Sequence, residues 1–261
     1  MLLEGKNAVI YGGGGSIGGA VAKEFAWEGA RVFLAGRTRE PLEAVAADIA
    51  SAGGSAEVAV LDALDEEAVD EHARAMAAQA GSIDVAFNLV TRGDVQGIPL
   101  VEMATDDLLR AVINGLRSNF ITARAAARRM VEQGSGVILA LDSGSAYGSP
   151  MMGGTGPADA ATDTFIRNLA AEIGPRGVRV LGIWTAGLPE TFSREKLAAV
   201  DSKFEDAAAF QGLIENLDQM RMTRRSPRLD EVAATAAFLA SDKAGAITGT
   251  FVNVTSGMFS S

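Results

Sequence analysis

The stretch Ala8-Val9-Ile10-Tyr11-Gly12-Gly13-Gly14-Gly15-Ser16-Ile17-Gly18-Gly19-Ala20-Val21 constrains this chain more than any other. It reads as a short apolar strand, a glycine run and the first turn of an amphipathic helix. Ile17, Val21 and Phe25 recur at i, i+4 and i+8, on one helical face. Glycines let the backbone turn tightly and approach a ligand with no Cβ in the way. The free N–H groups of the following helix, with the positive end of its dipole, form an anion site. In this order the three pieces are the phosphate cradle of a dinucleotide-binding βαβ unit, with Gly12, Gly14, Ser16, Ile17 and Gly18 as its candidate contacts.

Composition removes several other chemistries. There are no cysteines, so thiol nucleophiles, disulfides and thiolate metal sites are excluded. The single histidine, His72, cannot build a His-metal cluster or a Ser-His-Asp triad, and its charged neighbours make it read as a solvated helix side chain. No metal site is expected. A formal charge of -10 repels nucleic acid and anionic lipid. No stretch is long and apolar enough to span a membrane, and the N-terminus has no signal-peptide pattern, so a cytoplasmic location is expected.

Strand and helix patterns alternate along the chain. Arg31 to Ala35 is a buried strand ending at Gly36-Arg37. An acidic residue at such a strand end binds the ribose hydroxyls of NAD, whereas an arginine favours the 2′-phosphate of NADP. Gly36 holds the acidic position and Arg37 follows it, so NADP(H) is the expected cofactor. Further strands read at Ala56–Leu61, Ile83–Phe87, Gly136–Leu141, Val178 onward and Phe251–Val254, with helices at about 66–80, 106–132, 155–173 and 231–239. The expected fold is an α/β, doubly wound Rossmann-type domain over 1–261, with seven parallel strands and helices on both faces.

The residues resemble the short-chain dehydrogenase/reductase family along the whole chain. Leu3-Glu4-Gly5-Lys6 matches the family's lead-in, and Gly12 and Gly18 match the outer glycines of its Thr-Gly-x-x-x-Gly-x-Gly loop. Tyr11 replaces the threonine and Ser16 the middle glycine; a Ser-Ile pair here is similar to the enoyl-reductase branch. The resemblance implies Asp62 near the adenine, Asn88 of Asn88-Leu89-Val90-Thr91 near the adenosine ribose, and Gly187 and Thr191 around the nicotinamide amide and pyrophosphate. It also implies that Asn114 kinks its helix and holds a relay water, and that Ser143 polarises a substrate carbonyl. The charged stretch at about 188–226, with Phe192, Phe204, Phe210, Met220 and Met222, corresponds to a mobile substrate lid.

The family's proton donor is a tyrosine, with a lysine four residues on that lowers its pKa and holds the nicotinamide ribose. Leu169-Ala170-Ala171-Glu172-Ile173-Gly174-Pro175-Arg176-Gly177-Val178 fixes the register and puts those positions at Thr155 and Asp159. The chain's tyrosines are Tyr11 and Tyr147, and its lysines are Lys6, Lys23, Lys196, Lys203 and Lys243, so no shift of register restores the pair. Tyr147 is then a candidate proton donor, and Asp159 or Asp142 a candidate base; as alternatives these are loop polars and a helix N-terminal carboxylate. The expected function is NADP(H)-dependent oxidoreduction of a small carbonyl, enone or imine through a non-standard donor. A non-catalytic dinucleotide sensor or partner subunit, or a non-redox lyase or isomerase, is the alternative. A homodimer or homotetramer is expected, packed through Ala123, Ala125, Ala126, Ala127, Ala158, Ala160 and Ala161 of the two long helices.

Overall fold

A computed structural model describes residues 1–198 and 202–259. In chain order the elements are β1 (Asn7–Tyr11), α1 (Ser16–Trp27), β2 (Arg31–Gly36), α2 (Arg39–Ser51), β3 (Ser55–Val60), α3 (Glu66–Ala80), β4 (Val85–Asn88) and α4 (Thr105–Gln133). They continue with β5 (Gly136–Asp142), α5 (Thr155–Ile173), β6 (Val178–Trp184), α6 (Arg194–Ala198), α7 (Ala207–Gln219), α8 (Leu229–Ala240) and β7 (Phe251–Asn253). The strands form one sheet in the order β3-β2-β1-β4-β5-β6-β7, every pair parallel. Strand order reverses beside β1, and ligands bind at the carboxyl ends of strands at such a point.

Alternating side chains of β1 feed two cores. Ala8 and Ile10 pack toward α1 and α8, with Val21, Phe25, Val232 and Ala236. Val9 and Tyr11 pack on the other face, toward α3, α4 and α5, with Val69, Met76, Ala126 and Ile166. Full burial of a side chain such as Phe25 contributes about 1.5–3 kcal/mol, which holds α1 with its N-terminus at the strand ends.

Two expectations change here. Ala123, Ala125, Ala126, Ala127 and Ala158 are buried inside the protein, where small side chains let α4 and α5 pack closely on the sheet and each other. They are not available to a second subunit. The apolar surface that α4 exposes is Leu109, Ile113, Leu116 and Phe120, spaced along one face. His72 is half-buried with its ring edge-on to Tyr11, and burial lowers its pKa; it is not a solvated side chain. In the expected lid, a turn at Pro189–Thr191, α6 and α7 are formed, with Phe192, Phe204 and Phe210 half-buried; residues 199–201 of that stretch lie outside the described residues.

Candidate active site

The glycine loop links β1 to α1 under tight steric limits. Gly12 has φ +83, and a Cβ there would lie 2.5 Å from the Leu89 carbonyl oxygen. A Cβ on Gly18 would lie 2.2 Å from the Gly12 carbonyl oxygen, so helix and loop can meet only through glycine. No side chain caps the N-terminus of α1, and its first turn carries no acidic residue. Its leading N–H groups are left for a ligand.

A cleft runs along the carboxyl edge of the sheet on both sides of this loop. On one side it is lined by Gly12, Gly14, Arg37, Asp62 and Leu89. On the other it is lined by Ser16, Ile17, Gly18, Asn88, Arg92, Asp94, Asp142, Ser143, Thr185, Gly187 and Thr191. Gly15, Leu89, Val90 and Thr91 belong to both sides, so the groove is continuous. Arg37 is exposed and makes no ion pair or hydrogen bond among the described residues, whereas neighbouring Arg39 is paired with Glu43. Asp62 Oδ1 accepts from Leu64 N at 3.0 Å. Asn88 is buried, and its amide donates to Ser118 Oγ at 3.1 Å and Asn119 Oδ1 at 2.9 Å; it ties β4 to α4 and leaves no N–H for the cleft. Arg221 is buried under the Gly187 loop and donates to Ala186 O at 2.8 Å.

At the far end, the expected catalytic positions are joined by a charge network. Asp159 is fully buried, and its Oδ1 receives Arg92 Nη1 at 2.6 Å. Its Oδ2 receives Ser143 Oγ at 2.6 Å, Ser143 N at 3.2 Å and Ser145 N at 2.9 Å. Arg92 Nη2 also pairs with Asp94 at 3.0 Å, and Thr155 Oγ1 donates to the same carboxylate at 2.8 Å. Burial works against the Arg92 charge, but Asp159 and then Asp94 outweigh it and raise the guanidinium pKa. Asn114 donates to Arg92 O at 3.1 Å, positioning that loop, and α4 runs unbroken through it.

Asp142 is buried beside this network. Burial and the nearby charges of Asp159 and Asp163 push its carboxyl up to about 9, against one stabilising bond from Gly144 N. With both carboxyls ionised Asp142 Oδ2 has no partner; a proton there gives it Asp163 as acceptor. Asp163 itself accepts from Trp184 Nε1 at 3.2 Å. Thr185 also lines the cleft and is only 6% exposed; its buried Oγ1 has no partner among the described residues.

Ser143, Thr155, Asp159 and Asn114 are therefore brought together, while Tyr147 is not. Tyr147 is 63% exposed, packs edge-on against Trp184 at 5.3 Å between centroids, and makes no hydrogen bond among the described residues. Arg92 and Asp94 were missed by sequence reasoning. One signal pointed to a cation: a carboxylate on the buried face of α5 requires one, since unpaired buried charge is costly. Nothing in the local pattern says that it comes from residue 92.

The cleft fits a dinucleotide on its own geometry: an uncapped helix N-terminus behind a loop closed to any Cβ, a free guanidinium at one end, and orphaned polar atoms at the other. Fold and cleft thus define a Rossmann-type nucleotide-binding protein. The family model described as enoyl-(acyl carrier protein) reductase matches residues 13–259. The chain is 31% identical to L-rhamnose 1-dehydrogenase (NAD(P)(+)) of Azotobacter vinelandii, over 99% of this chain and 98% of that one. It is 33% identical to D-threitol dehydrogenase of Mycolicibacterium smegmatis, over 95% and 90%. The crystal structure of NAD+-bound xylitol dehydrogenase superposes with TM-score 0.87 at 25% identity, covering 98% of this chain and all of the other. The chain belongs to the short-chain dehydrogenase/reductase superfamily, in the family that this model describes.

Proposed function

We propose that the protein is an NADP(H)-dependent oxidoreductase that interconverts a small carbonyl, enone or imine with its reduced form, without the Tyr-Lys pair of its family. The carrying observation is the continuous cleft that joins the unpaired Arg37 to the Ser143–Asp159–Arg92 network past the N-terminus of α1. Gly12, Gly14, Ser16, Ile17 and Gly18 would hold the pyrophosphate, Arg37 the 2′-phosphate, Asp62 the adenine side, and Gly187 and Thr191 the nicotinamide end. The dinucleotide supplies hydride chemistry when bound. The chain orients the substrate at Ser143 and excludes water with residues 188–198 and 202–226, of which Leu188 and Thr191 line the cleft.

Position 155 carries a threonine whose hydroxyl is committed to Asp94, and position 159 a carboxylate neutralised by Arg92. Neither is an acid–base pair of the family's kind. The α4 stripe of Leu109, Ile113, Leu116 and Phe120 supports a homodimer or homotetramer. The test is fluorescence titration with NADPH and NADH. NADPH binds more tightly to the wild type, and Arg37→Asp removes or reverses the preference, a charge-assisted contact contributing about 1.5–3 kcal/mol. Equal wild-type affinities contradict the 2′-phosphate assignment; no binding of either contradicts the whole proposal.

A further inference from the structure

We infer that this cleft takes its substrate as a cation, a protonated imine seated between Asp94 and the unspent lone pair of Ser143, and reduces it to an amine with no proton donor. The inference rests on the dinucleotide function proposed above and selects the imine among its substrates.

Hydride addition to a ketone or an enone leaves an alkoxide or an enolate, which an acid within reach must protonate. No such acid faces this end of the cleft among the described residues. Ser143 donates its hydroxyl proton to Asp159 Oδ2 at 2.6 Å, and Thr155 donates to Asp94 Oδ1 at 2.8 Å. Asp142 Oδ2 is buried, and Tyr147 stands 63% exposed against Trp184. Arg92 spends three N–H groups on Asp94 and Asp159, and a guanidinium does not release a proton in a protein. A protonated imine asks for none of these, because it brings its proton with it.

The charge at this end suits such a ligand. Two carboxylates, Asp94 and Asp159, share Arg92, and no other residue lining that side of the cleft is a cation among the described residues. Arg221, behind the Gly187 loop, is buried and turned to the Ala186 carbonyl. Of the two carboxylates Asp94 is the one a ligand can reach: it lines the cleft with 20% of its side chain exposed, against none of Asp159. Ser143 supplies the other contact. Ser145 Oγ lies 2.7 Å from Ser143 Oγ and, with the Ser143 proton committed to Asp159, is the donor of that pair. A hydroxyl has one proton and two lone pairs, so Ser143 keeps one lone pair for an N–H on the ligand. A ketone oxygen would meet that lone pair with its own.

In the step itself, hydride from a reduced nicotinamide dinucleotide adds with its electron pair to the carbon of C=N–H⁺. A C–H bond forms, the π pair of C=N settles on nitrogen, and the cation becomes a neutral amine. No proton moves within the site, and the amine takes one from water after release.

The experiment pairs imines with neutral ketones of similar size: dihydroisoquinoline with tetralone, and pyrroline with cyclopentanone. The NADPH-loaded protein reduces each imine with kcat/KM at least about 10²-fold above its ketone, the worth of the missing acid. That kcat/KM falls as pH rises through the imine's own pKa, whereas N-methyl dihydroisoquinolinium, a cation at every pH, shows no such fall. In isothermal titration of the NADP+-loaded protein, the ammonium forms of tetrahydroisoquinoline and pyrrolidine bind about tenfold more tightly than neutral tetralol and cyclopentanol. Asp94→Asn removes that preference and raises imine KM by about tenfold. If that variant does not fold, Ser143→Ala, which leaves the ion pairs in place, raises imine KM by about three- to tenfold. Imines reduced no better than ketones, or ammonium ions bound no more tightly than the alcohols, overturn the cation site. Failure of NADP(H) itself to bind overturns the dinucleotide function instead.

Discussion

Asp159 shows how one side chain changes the chemistry available to a familiar pocket. Where the family resemblance implies a lysine, this chain buries a carboxylate and brings a cation to it from Arg92, 67 residues earlier. Breaking a buried pair by removing one partner leaves the other charge uncompensated, at a cost of about 3–5 kcal/mol. Arg92→Ala should lower unfolding stability by that amount in urea titration; a loss below about 1 kcal/mol, the range of an exposed pair, would contradict the network. Asp142 carries a second consequence. Its folded pKa of about 9 lies above the ordinary aspartate value, so the folded chain keeps a proton that the unfolded chain has lost. The sign is therefore opposite to that of a salt-bridged carboxylate: stability from this group is present below the unfolded pKa and falls as pH rises toward about 9. Asp142→Asn, neutral throughout, should gain in melting temperature relative to wild type between about pH 5 and about pH 8.5, whereas parallel curves would place the proton elsewhere. That Ser143, Asp159 and Thr155 share one site was legible from the family resemblance, whose helix-end segment set their register. The partners that decide their chemistry were not, because Arg92 and Asp94 sit on a loop whose path no local periodicity specifies.

At the scale of elements, the glycine loop and α1 were legible because their cause is local: apolar spacing and glycines that admit no Cβ. The strand ends were legible within a residue or two for the same reason. The long helices were placed correctly, yet Ala123, Ala125, Ala126, Ala127 and Ala158 face the protein's own interior, while Ala160 is exposed and Ala161 half-buried. An alanine face packs equally well on the protein's own sheet or on a second subunit, and only the fold tells which. The exposed large side chains carry the better signal, since Leu109, Ile113, Leu116 and Phe120 form an apolar strip on α4 that water would not favour. Ile113→Glu should shift the protein to a smaller species by light scattering at micromolar concentration. An unchanged mass, or a monomeric wild type, would show that the strip is not an interface.

Across the whole molecule, the sheet brings distant residues of the chain to one edge: the glycine loop after β1, Arg37 after β2, Arg92 after β4, Ser143 after β5 and Thr185 after β6. Parallel strands all end on that edge, which is why a cleft there can measure a long two-ended ligand. The central claim is that this edge holds NADP(H) with its reactive end against a Ser143–Asp159–Arg92 centre. The most direct test is a crystal structure of the complex with NADPH. It should show the 2′-phosphate on Arg37, the pyrophosphate at the N-terminus of α1, and the nicotinamide facing Ser143, with Asp159 still bound to Arg92 and Tyr147 outside hydrogen-bond reach of the ring. A dinucleotide lying elsewhere, or Tyr147 swung in as the acid beside the nicotinamide, would contradict it.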